Sequence, residues 1–167
     1  MKGQISFVEF LVALLIFAIF VGYFSFRLLT YVPYYLNELK KERANSEAYQ
    51  ISEILVNDVG NPANWDDLPF DQVKSLGLSD ESINKTNVLS FSKIDKLNSQ
   101  CQADYASVKN LLQTDYDFSI YILNSETGVM LMSCQPSELI ARNLNITVRR
   151  MISFNSGDYG ELLLQVW

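Results

Sequence analysis

The feature that most limits this chain is a run without charge. From Phe10 to Phe26 there are 17 consecutive residues without Asp, Glu, Lys or Arg, most of them Phe, Leu, Ile, Val or Ala. A helix crossing the hydrocarbon of a bilayer takes about 20 predominantly apolar residues. The run therefore predicts one transmembrane helix over 5–29. A cleaved secretory signal has a shorter apolar core and then a small-residue cleavage site. Here Tyr23, Phe24, Phe26 and Arg27 close the run, which predicts that it is retained. Phe24, Phe26 and Tyr31 suit the aromatic-rich boundary between hydrocarbon and headgroups.

Past the span, Pro33 lacks an N–H and its ring crowds the preceding turn, which predicts a kink or break there. A helical pattern resumes with Leu36, Leu39, Ala44, Ala48, Ile51 and Leu55 on one stripe. Glu38, Lys41, Glu42, Asn45, Ser46 and Glu53 occupy the other side. Gly60 and Pro62 then supply stop signals. The segment 30–60 is thus expected to be an amphipathic helix, docked on its domain or serving as a stalk. The remaining residues, 61–167, are enough for one small domain with its own core.

Within that domain, Gly60-Asn61-Pro62-Ala63-Asn64-Trp65 reads as a loop with Trp65 plugged into the core. Cys101–Leu112 reads as a helix with Cys101, Tyr105, Val108 and Leu112 on one side. Strands come next. Phe118, Ile120 and Ile122 alternate with Ser119, Tyr121 and Leu123, and Asn124–Gly128 is a turn. Val129–Cys134 returns as the partner strand. Asn145–Phe154 and Glu161–Trp167 read as two more strands around the turn Asn155–Gly160. Helices first and an antiparallel sheet after define an α+β domain. Arg149 and Arg150 are neighbours on a strand, so they face opposite ways. Arg150 shares the face of Ile146 and Val148, where a salt bridge or a partner-facing charge is expected.

The chemistry is sparse. The chain has no histidine, a formal charge of −6 and a pI near 4.6. It lacks the basic footprint of a nucleic-acid binder and the usual general base near neutral pH. No Gly-rich phosphate loop, Cys-x-x-Cys or His-bearing metal pattern is present. Asp66-Asp67 and Asp115-x-Asp117 lack the spacing of a calcium loop and read as capping and turn residues. The expectation is a non-enzyme with no catalytic residue, metal or cofactor. Cys101 and Cys134 meet if the helix packs on the sheet; the alternatives are one disulfide and two buried thiols. A bridge suits an exported domain.

Orientation is contested by the residues themselves. Arg27, Lys40, Lys41 and Arg43 outnumber Lys2, which favours a cytoplasmic C-terminal region. Asn84-Lys85-Thr86 and Asn145-Ile146-Thr147 are N-glycosylation sequons, which favour the outside.

Glu9 is the one charge between Ile5 and Phe26. It reads either as an interfacial residue or as a functional device. Its context is Lys2-Gly3-Gln4-Ile5-Ser6-Phe7-Val8-Glu9, a basic residue and a glycine ahead of a polar-then-apolar helix start. This resembles the class III signal peptide of archaeal type IV pilin-like proteins. The resemblance implies a prepilin peptidase acting at the 1–4 leader, around Lys2, Gly3, Gln4 and Ile5, and retention of the apolar helix. Gln4 and Ser6 match the family pattern, and Glu9 comes one residue later than the family's glutamate. It is the sixth mature residue for a cut after Gly3 and the fifth for a cut after Gln4. The family role implied for Glu9 is to pair with the freed amine of a neighbouring subunit. Because an unpaired buried charge is costly, such a pair favours one axial register.

The order from Gly60 to Leu123 is also similar to the ectodomain of archaeal membrane-anchored, pilin-like proteins. It runs from Gly60-Asn61-Pro62-Ala63-Asn64-Trp65 through Gly77-Leu78, Leu89-Ser90…Lys93 and Asp104-Tyr105 to Asp117-Phe118. Together these imply a subunit, minor or pseudopilin included, of an archaeal surface filament. Its expected partners are membrane lipid, the peptidase and other pilin-like subunits packed through the N-terminal helix, and its head lies outside the cell. The alternative is a single-pass anchored extracytoplasmic binding module that never polymerises. Only a few residues precede the helix, which argues against a sensor that signals by itself.

Overall fold

A computed structural model describes residues 7–80, 87–137 and 145–167. The chain divides into two units, 1–42 and 43–167. Helix α1, Phe7–Asn57, runs through 51 residues, with Pro33 inside it. Of the kink or break expected at Pro33, the break does not occur: the helix continues through it. Proline removes one backbone donor, and the bonds on either side carry the helix past it. In the first unit every described residue is exposed. An 18-residue window of the helix has a mean hydropathy of 2.5, and the helix is long and apolar enough to cross a membrane.

The second unit begins with the last turns of α1. Ala44, Ala48, Ile51, Leu55 and Val56 are buried there, at the three- and four-residue spacing of one helix face. The helix ends where Gly60 takes a φ of +84°, and the Gly60 N–H bonds the Asp58 side chain at 2.9 Å. The next segment folds back beneath the helix end. Trp65 is fully buried, and its indole N–H donates to the Gly77 carbonyl at 2.8 Å. A Cβ on Gly77 would lie 2.2 Å from the Asp58 carbonyl oxygen, so only glycine allows this approach.

Strand β1 (Val88–Leu89) precedes two helices, α2 (Phe91–Ala103) and α3 (Tyr105–Leu111). The single helix expected over Cys101–Leu112 is replaced by this pair. Asp104 causes the change: its backbone leaves the helical region, and its side chain caps α3 by accepting the Ser107 N–H. A capping aspartate both ends one helix and opens the next.

Four longer strands complete the chain: β2 (Phe118–Asn124), β3 (Met130–Cys134), β4 (Ile146–Phe154) and β5 (Tyr159–Val166). The sheet order is β1-β4-β5-β2-β3. The pairs β2–β3, β2–β5 and β4–β5 are antiparallel, as expected. The sheet as a whole is mixed, because β1 runs parallel to β4 through Val88–Ser153 and Leu89–Phe154. A buried two-residue strand has no alternation to reveal it. Asn124 organises the β2–β3 turn; its side-chain oxygen accepts the Glu126 and Thr127 N–H groups, and Gly128 takes a φ of +68°.

The inner sheet face carries Phe118, Ile120, Ile122, Val148, Ile152, Leu162 and Leu164, all buried. They share one core cluster with Ala44, Ala48, Ile51 and Leu55 of α1 and Ile94, Leu97 and Cys101 of α2. The domain is α+β: helices packed on one face of a small mixed sheet.

Candidate functional site

The expected site residues fall in three places. Lys2, Gly3, Gln4, Ile5 and Asn84 lie outside the described residues. Glu9 is exposed in the first described turn of α1. Around and beyond it the helix displays only apolar and aromatic side chains to Phe26, apart from Ser25. Phe7 and Leu29 are 74% and 77% exposed. A helix apolar all round is stable only when lipid or other helices surround it. The stretch from Phe10 to Phe26 is therefore a surface that requires a covering.

At the C-terminal end of the uncharged run, Tyr23, Arg27 and Tyr31 recur at four-residue spacing on one face. The Arg27 Nε donates to the Tyr23 hydroxyl at 2.9 Å and Nη1 to the Tyr31 hydroxyl at 3.0 Å. The guanidinium carbon stands 5.3 Å and 5.6 Å from the two ring centroids, within cation–π range. Tyr31 was legible as an interfacial aromatic; its joint hold on Arg27 with Tyr23 was readable only in the i, i+4, i+8 spacing.

In the second unit Cys101 and Cys134 are bridged, with Cα atoms 5.5 Å apart and both residues buried. The bond ties α2 to the end of β3. Asn145 is exposed just before β4, and Thr147 of the same sequon is exposed too, with Ile146 between them turned into the core. Arg150 faces back to α1. It pairs with Glu53, donates to the Ser52 hydroxyl at 3.2 Å and lies 4.6 Å from the Tyr49 ring centroid. On the opposite face Arg149 reaches Glu161 at 3.5 Å.

Lys93 went unrecognised as a structural residue. It is only 4% exposed, and its ammonium donates to the carbonyls of Val59 at 2.8 Å and Ser79 at 3.0 Å. Nothing in the local pattern marks a lysine at a core position. Tyr105 is similar. Its hydroxyl accepts the Phe118 N–H and donates to the Phe118 carbonyl, and burial pushes its pKa up to about 12.

Among the described residues no cluster of three His, Cys, Asp or Glu side chains is placed to hold a metal. Asp115 lines an open cleft of about 640 Å³ with Arg43, Glu47, Gln50 and Gln113. Asp66 accepts from Ser92 and Asp117 pairs with Lys109, both structural duties.

No protein-family model, curated protein or solved structure matches this chain.

Proposed function

We propose that the chain is a pilin-like subunit, minor or pseudopilin included, of an archaeal type IV surface filament. In this reading a prepilin peptidase trims the leader near Gly3 or Gln4. The apolar helix first resides in the membrane and then packs against the helices of other subunits. The α+β head faces outward, Glu9 sets the axial register by pairing with a neighbour's freed amine, and Asn84 and Asn145 accept glycans.

The observation that carries the reading is the first unit itself. It is a continuous helix with every described residue exposed, apolar on all sides through its span, with a single carboxylate in its first described turn. The exposed Asn145 and the disulfide of the second unit are in keeping with an exported head. N-terminal sequencing of the mature protein tests it. A start at Gln4 or Ile5 is expected; a chain beginning at Met1 rejects the processing step.

The second reading is an anchored module that does not polymerise. It is favoured by the distance between the charges that bracket the run. Glu9 and Arg27 are 18 residues apart, about 27 Å along a helix, close to the thickness of one hydrocarbon layer.

A further inference from the structure

We propose that Tyr23, Arg27 and Tyr31 form a binding clip for the phosphate of lipid headgroups at the C-terminal boundary of the span. This rests on the reading that α1 crosses a bilayer, and holds for either outcome of assembly. A guanidinium carries five N–H donors. One each from Nε and Nη1 goes to the Tyr23 and Tyr31 hydroxyl oxygens, leaving three. Each tyrosine accepts from Arg27 and keeps its own O–H to donate. The result is a fan of N–H and O–H donors around a full positive charge.

Among the described residues no carboxylate forms an ion pair with it, and the nearest acidic positions in the sequence are Glu9 and Glu38. Bidentate pairing with two phosphate oxygens is the geometry a guanidinium serves best. The depth also fits. With Glu9 at one boundary, Arg27 arrives at the other about 27 Å away. Sinking Arg27 to mid-span instead would bury a full charge in hydrocarbon, which is unfavourable. Beyond the clip, Tyr31, Val32, Tyr34, Tyr35 and Leu36 line an apolar notch of about 490 Å³. Aromatics of this kind settle at headgroup level. The clip therefore fixes how deep the helix sits and holds Glu9 at the opposite surface until assembly.

The test is solid-state NMR on the full chain, labelled with ¹³C at arginine Cζ, in phosphatidylglycerol bilayers. The Arg27 signal is assigned by its loss in Arg27→Lys. Strong ¹³C–³¹P dephasing at Arg27 is expected, falling about twofold or more in Tyr23→Phe/Tyr31→Phe as the guanidinium loses its orientation. A parallel sample in phosphate-free glycolipid with added inorganic phosphate is expected to show none. Equal dephasing there makes the site a general anion site and overturns the lipid assignment. Cysteine labelling at Leu14→Cys and Tyr34→Cys reports the span independently. Leu14→Cys protected, Tyr34→Cys accessible and no dephasing overturns the clip and leaves the span standing. Both positions freely labelled overturns the span and the clip together.

Discussion

The Asn98 side chain accepts the Ser133 N–H at 3.2 Å, so helix α2 closes the outer edge of β3. Three residues further along α2, the Cys101–Cys134 bond repeats the tie covalently. An unpaired strand edge is a template for unwanted pairing, and covering it with a helix is one remedy. Replacing both cysteines with alanine is expected to cost about 3–4 kcal/mol for a loop of this length. Asn98→Ala should cost about 1 kcal/mol. Chemical unfolding of the full chain in detergent, followed by the fluorescence of buried Trp65, measures both. A cysteine-free variant as stable as the parent would remove the bridge as a stabilising element.

Lys93→Met keeps the length of the side chain and removes its charge and donors. It strands the Val59 and Ser79 carbonyls, which Lys93 now satisfies in a buried position. A loss of about 2–4 kcal/mol is expected from the same unfolding measurement. A neutral result would mean that water replaces the ammonium without penalty.

Arg150 and Glu53 should couple by about 0.5–1 kcal/mol in a double-mutant cycle of Arg150→Met and Glu53→Gln, because the pair is partly exposed. Arg150→Met alone should lose more, since it also gives up the Tyr49 ring and the Ser52 hydroxyl. Equal single-variant costs would reduce Arg150 to its ion pair.

Asp104 and Tyr105 give opposite pH limbs. The Ser107 hydroxyl and N–H hold the Asp104 carboxyl below its ordinary 3.8. The contribution of that cap is fully present above 3.8 and is lost as pH falls through the lower folded value. Asp104→Asn should flatten the acid limb of the stability curve. Tyr105 is raised from 10.0 to about 12, chiefly by burial. Its contribution is intact below 10 and is lost as pH rises toward 12. Tyrosinate absorbance should lose a late-titrating component in Tyr105→Phe.

On the proposed filament reading, Glu9→Ala is expected to leave membrane insertion unchanged and abolish filament assembly. Electron microscopy of cell surfaces together with membrane fractionation checks both halves. Normal filaments from the variant would reject the register role.

Where a pattern repeats, the sequence was a good guide. The uncharged run to Phe26 marked the apolar helix, and the alternation of Phe118, Ile120 and Ile122 marked β2. The elements that escaped are those where tertiary contacts outweigh pattern. Lys93 interrupts the apolar face of α2, so the start of that helix at Phe91 was hidden. Val88–Leu89 is too short to alternate, so the parallel strand was missed. Pro33 reads locally as a breaker, but a long helix absorbs one missing bond. For the candidate site, Glu9 was conspicuous as a lone charge, and the hold of Tyr23 and Tyr31 on Arg27 was not. It joins three individually ordinary residues through spacing alone.

The way α1 ends has a mechanical consequence. Its last carbonyls and those just beyond are taken up together: Leu55 by the Leu78 N–H, Asp58 by the Ser79 N–H and Val59 by the Lys93 ammonium. Tension arriving along the helix reaches several attachments side by side, so they share the load and no single one is unzipped ahead of the rest. In the proposed role, in which one helix tethers the head, this junction acts as a rivet, and Lys93 is the part of it that fastens the helix end to α2.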